Sequence, residues 1–154
     1  MALSLGVLLL PILLIILIGR FFYGDTTTAT VDPQLALQGA ARASMQPIPA
    51  GTAPADWKIV SARFDSGVLR IGYLDPKDKG AQLVQGTAAG LVARELGADA
   101  RPTGDFSAGG RTWSGWAARD GLSALTRTEG ATTIILVGAV GTDGLATLAE
   151  AVTK

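Results

Sequence analysis

From Ala2 to Gly19 the chain reads ALSLGVLLLPILLIILIG, without one charged side chain. Eighteen helical residues would rise about 27 Å, close to the roughly 30 Å hydrocarbon core of a bilayer. Pro11 and Gly6 are tolerated in lipid far better than in a water-exposed helix, and Gly6 offers a small site for helix packing. Arg20 then meets Phe21, Phe22 and Tyr23, a cation beside aromatic rings, as suits a headgroup interface. A cleaved signal peptide would have a shorter apolar core ending in small residues. Here the run continues into bulky side chains, so residues 1–23 are expected to form an uncleaved signal anchor, a single transmembrane helix. Taken alone, Arg20 would hold the rest of the chain in the cytoplasm under the positive-inside rule.

Composition narrows what the remainder can do. Hydrophobic residues make up 48% and charged residues 17%, below the roughly 25% charged share of an ordinary soluble domain. The 13 basic and 13 acidic side chains cancel, which leaves no electrostatic reason to bind nucleic acid. Cysteine and histidine are absent. That excludes disulfides, thiol nucleophiles, Ser-His-Asp triads and the usual zinc and haem ligand sets. No cofactor is expected, and the chain is not expected to be an enzyme.

Residues 24–56 read as a tether, a short helix and a connector. GDTTTAT is polar. Asp32-Pro33 then writes a helix start, Asp as N-cap and Pro at the first helical position, and the stripe of Leu35, Ala36, Ala40 and Ala43 extends that helix to about Ser44. The Pro-rich stretch QPIPAGTAPADW follows, either a loop inside the domain or a hinge beside it.

From residue 57 to 154 the pattern is that of a globular α+β domain. WKIVSARF, VLRIGYL and AQLVQ read as strands, divided by the turn signals Asp65-Ser66-Gly67 and DPKDKG. Gly86-Thr87 opens a helix through AAGLVAREL. RTWSGWAA, LSALTRT and TTIILVGAV are three further strands with short turns between them, and Gly141-Thr142 opens a closing helix. Two strand-strand-strand-helix halves are thus expected, forming an antiparallel sheet of about six strands with packed helices behind one transmembrane helix. The two helix openings look alike, which leaves internal duplication open. The run at 132–140 is apolar on both faces, as befits a central strand covered on both sides.

Few constellations could carry chemistry. Gly138, Gly141 and Gly144 are spaced G-x-x-G-x-x-G, not as a dinucleotide loop, and no strand or ribose-binding acid follows. Asp75 and Asp78 lack the ligand count of a calcium loop, so a solvated turn is expected there. Trp113 and Trp116, with Arg111 and Arg119 nearby, are the candidate interaction surface, because Trp and Arg dominate binding hot spots. Their odd spacing sends the two rings to opposite faces of a strand. Two structural tryptophans are the plainer alternative. A carboxylate hydrolase would need two acids facing each other across a pocket.

At WKIVSARF from Trp57, LRIGYL from Leu69, GRTW from Gly110 and LTRTEG from Leu125, the chain resembles an uncharacterised actinobacterial family, domain-of-unknown-function family 4245. The resemblance runs from the anchor to the C-terminus and implies a single-span membrane protein with an extracytoplasmic α+β domain. It implies no catalytic residue. Members of that family carry basic residues ahead of a segment like MALSLGVLL, which implies an N-in, C-out orientation.

The expected function is therefore that of a non-catalytic, single-pass protein of the cell membrane, with its domain outside. Its partners would be the lipid bilayer and membrane proteins contacted through the N-terminal helix. It would serve as an accessory subunit of a larger complex such as an actinobacterial respiratory supercomplex. The alternative is an envelope binding module for a lipid, glycan or peptide, using its sheet or the Trp113/Trp116 region.

Overall fold

The structure, a computed structural model, describes residues 30–46 and 53–153. In chain order the elements are α1 (Gln34–Arg42), β1 (Lys58–Asp65), β2 (Val68–Leu74), β3 (Gly80–Gly86), α2 (Leu91–Leu96), β4 (Arg101–Ala108), β5 (Arg111–Ala117), a 3₁₀ turn (Arg119–Gly121), β6 (Ser123–Glu129), β7 (Thr132–Gly138) and α3 (Gly141–Val152). The strands form one seven-stranded sheet in the order β1-β2-β3-β7-β6-β5-β4. Every neighbouring pair is antiparallel.

Local chemistry writes the hairpins. Ser66 and Gly67 both take positive φ (51° and 73°) between β1 and β2, and Gly109 and Gly110 do the same between β4 and β5 (59° and 69°). Such turns match the right-handed twist of the strands they join. Between β2 and β3, Asp75 Oδ1 accepts from the backbone N–H groups of Lys77 and Lys79, each at 2.8 Å. The carboxylate thus holds the turn together, as Asp does in many loops.

The sheet is covered unequally on its two faces. Residues alternate between faces along each strand. Leu69, Ile71, Leu83, Leu125, Ile134 and Leu136 point to one side. There they meet Ala36 and Ala40 of α1 and Leu145, Leu148, Ala149 and Val152 of α3. Val68, Val84, Ala124 and Ile135 point to the other side, where only Leu91 and Leu96 of α2 join them as fully buried helix residues. β7 is therefore sandwiched, with Ile134 and Leu136 beneath α3 and Ile135 beneath α2. The connection from β3 to the far edge strand β4 crosses the second face and carries α2, which has only six residues. A helix that short leaves part of its face uncovered.

Several expectations are corrected. The sheet has seven strands, not about six in two equal halves, because β4 joins at the edge. β4 contains Pro102 and Gly104, and only Phe106 and Ala108 escape full exposure; it has neither the alternation nor the apolar content that marks a strand in sequence. α2 begins at Leu91, not near Thr87, because Gly90 stands just before it at φ 73°. α2 and α3 also dock on opposite faces. A two-fold axis relating antiparallel neighbours would place them on one face, so the similar helix openings are not the mark of a symmetric duplication.

Among the described residues no helix is long and apolar enough to cross a membrane. The longest, α3, has 12 residues, a rise of only about 18 Å, and its apolar side is docked on the sheet. This overturns the expectation of a single-span protein. The described residues offer no transmembrane helix to precede the sheet or to hold the protein in a cell membrane with its domain extracytoplasmic. Nor do they offer one to recruit bilayer and membrane-protein partners, and the accessory-subunit reading falls with it. The run 1–23 on which that expectation rested, with Gly6, Arg20, Phe21, Phe22 and Tyr23, lies outside the described residues.

Candidate functional site

The uncovered part of the α2 face forms an open cleft of about 410 Å³. Its floor is made by β2, β3 and β7, and β1 closes one side. Gly72 and Gly80 have no side chain to fill the space, Val137 and Leu74 line it with hydrocarbon, and Val60 bounds it from β1. Val60 falls at a bulge in β1, between the pairings Ile59 to Tyr73 and Ser61 to Gly72. An extra residue there bends the strand and re-aims its side chains. The space above Gly80 is open, since a Cβ built at that position meets nothing within 4 Å. At Gly72 a methyl would meet the Ser61 hydroxyl, which would have to turn away.

The wall is polar. Glu95 from α2 and Arg119 from the 3₁₀ turn line the cleft beside Leu122 and Gln82. Arg70 Nη2 lies 2.5 Å from Glu95 Oε1, and the glutamate side chain is only 13% exposed. A carboxyl group so far withdrawn from water needs a hydrogen-bond partner, and the guanidinium supplies it. Arg94 Nε stands farther off, at 3.9 Å from the same oxygen. Arg119 is placed by its stem: a Cβ added to Gly97 would come within 3.3 Å of the Arg119 Cβ and 3.6 Å of its Cδ. Gly97 ends α2 at φ 92°, so the glycine that terminates the helix also leaves room for the arginine.

The residues nominated from the sequence do not form one surface. Trp113 is fully buried on the α1/α3 face. Its indole Nε1 donates to the Ala108 carbonyl at 3.3 Å, and the Arg127 guanidinium lies 5.6 Å above its ring, a cation–π arrangement. Arg127 also pairs with Glu129. Burial, and then the neighbouring charge of Arg111, hold the Arg127 guanidinium below its ordinary pKa. Arg111 is exposed at the start of β5 on this side. Trp116 faces the opposite way, half-buried against the core beneath α2, and its Nε1 donates to Thr126 Oγ1 at 2.9 Å. Both indoles therefore have packing roles and satisfied N–H groups. Of the four nominated residues, only Arg119 lines the cleft.

Sequence reasoning passed over Gly72, Gly80, Arg70 and the role of Glu95. Two of these left a readable trace. A glycine inside a strand marks a bulge or a close approach, and Arg70 stands in a strand whose other residues are mostly apolar. Nothing local connects Arg70 with Glu95, which lies 25 residues away in the chain.

The family comparison agrees with the resemblance noted in the strand segments. Residues 1–152 match the family described as "Protein of unknown function (DUF4245)". No curated protein and no solved structure matches the chain. The chain belongs to the DUF4245 family.

Proposed function

We propose that this domain is a non-catalytic binding module that takes a small ligand in the cleft on the α2 face. One observation carries the reading: a cavity of about 410 Å³ with a glycine-floored, mostly apolar lining and two charged residues on its wall. That size and that balance of apolar and polar groups are typical of sites for small molecules. The non-catalytic part is supported by the state of the lining acid. Glu95 is tied to Arg70, and among the described residues no second carboxylate lines the cleft to face it, whereas a carboxylate-pair hydrolase divides the acid and base roles between two such groups. Actinobacterial origin, which the resemblance in the strand segments implies, belongs to this proposal.

The test is to fill the cleft from its floor. Gly80→Leu projects a side chain into open space, so the fold should be retained, with a melting temperature within a few degrees of the unmodified chain. Ligand-observed NMR of the full chain against a library of small amphipathic compounds should yield binders that Gly80→Leu abolishes. Binders that contact both chains equally would place recognition elsewhere and reject the cleft.

A further inference from the structure

We infer that the occupant of this cleft is a singly charged anion with an apolar body, its head held by Arg119 and its body laid on the floor of β2, β3 and β7. The inference rests on the cleft reading above and adds the chemical class of the ligand. Glu95 and Arg119 are the charged residues of the lining. Glu95 is already neutralised by Arg70 at 2.5 Å. Arg119 is exposed and forms no ion pair with any described residue. Among the described residues the cleft thus carries one uncompensated positive charge at its wall, above a floor of glycine and hydrocarbon.

A guanidinium presents a planar fork of donors that suits a carboxylate. Its stem lies beside Gly97, at the turn that ends α2. Arg119 is the one cation among the described lining residues, so it offsets a single negative charge and leaves the second charge of a phosphate monoester without a partner. An ammonium head would meet Arg119 with no unpaired acid to receive it.

Isothermal titration of the full chain with three probes of one chain length separates the possibilities: decanoate, decan-1-ol and decylammonium, all below their aggregation limits. Decanoate should bind about tenfold more tightly than the alcohol, the scale of one charge-assisted contact at a partly exposed site. Arg119→Gln should reduce decanoate to the level of the alcohol and leave the alcohol unchanged. Added salt should weaken decanoate alone, because an exposed charge is screened. Gly80→Leu should abolish both. If decanoate and the alcohol bind alike, or decylammonium binds as well as decanoate, the anion inference is wrong. In that case the cleft reading survives, provided Gly80→Leu still blocks them. If no probe binds, or Gly80→Leu leaves binding intact, the cleft reading falls as well.

Discussion

Tyr73 shows how a single side chain can be placed by packing at a cost. It is 1% exposed, packed among the residues beneath α1 and α3, and its hydroxyl has no hydrogen-bond partner among the described residues. A buried hydroxyl left unpaired costs about 1–3 kcal/mol. Burial also raises the phenol well above its ordinary value near 10, because the phenolate cannot be solvated there. The native state therefore holds the neutral form. Its contribution is constant below the unfolded value and is lost as pH rises past it. Tyr73→Phe should stabilise the chain by about 1 kcal/mol near neutral pH, and the gap should widen above about pH 10. Urea unfolding of the two chains at about pH 8 and about pH 10.5 tests both; a gap that narrows at high pH would contradict the burial argument. Trp113 teaches the reverse. Trp113 beside Arg111 and Arg119 in sequence reads as a hot spot, yet the indole is buried and the guanidinium over its ring is that of Arg127, from another strand.

At the scale of elements, signals confined to a few residues are the ones the sequence displays. Asp32 stands two residues before Gln34, and its Oδ1 accepts the Gln34 N–H at 3.0 Å, satisfying one of the donors that a helix start leaves free. Asp32→Ala should cost about 1 kcal/mol. Amide exchange should show the loss first in the opening turn of α1, while exchange in β7 stays unchanged; equal loosening of both would show that α1 is no separate unit. Alternation, or in β7 an unbroken apolar run, marked every strand except β4, whose exposed run of Arg101, Pro102, Thr103, Gly104 and Asp105 has no apolar face to read. Both outer strands are irregular, with register breaks at Ile59/Ser61 in β1 and at Pro102/Gly104 in β4. Such breaks and the Pro in β4 blunt a sheet edge against pairing with another chain.

For the molecule as a whole, the decisive fact is that one sheet serves two cores of different size. β7 lies beneath both, so damage there should spread widely. Leu136→Ala, at a position with no exposure, should cost about 2–5 kcal/mol. Leu35→Ala on α1, where the side chain is 83% exposed, should change stability by less than about 0.5 kcal/mol. Denaturant midpoints measured on the full chain would compare them; similar losses would mean that Leu35 is covered in solution. The unequal helix cover also creates the candidate site, since a six-residue α2 cannot roof a face that the longer α3 would.

Turn geometry, strand alternation and the start of α1 beside Asp32 were legible in the sequence because each depends on φ preferences and hydrogen bonds within a few residues. So was the double-sided burial of Ile134, Ile135 and Leu136, written as an unbroken apolar run. The pairing of β3 with β7, the recruitment of β4, the ion pair between Arg70 and Glu95, and the cleft beside them belong to the tertiary structure. Each depends on segments distant in the chain meeting with a particular register and face, and on the space left where a short helix stops. No window of neighbouring residues contains that information.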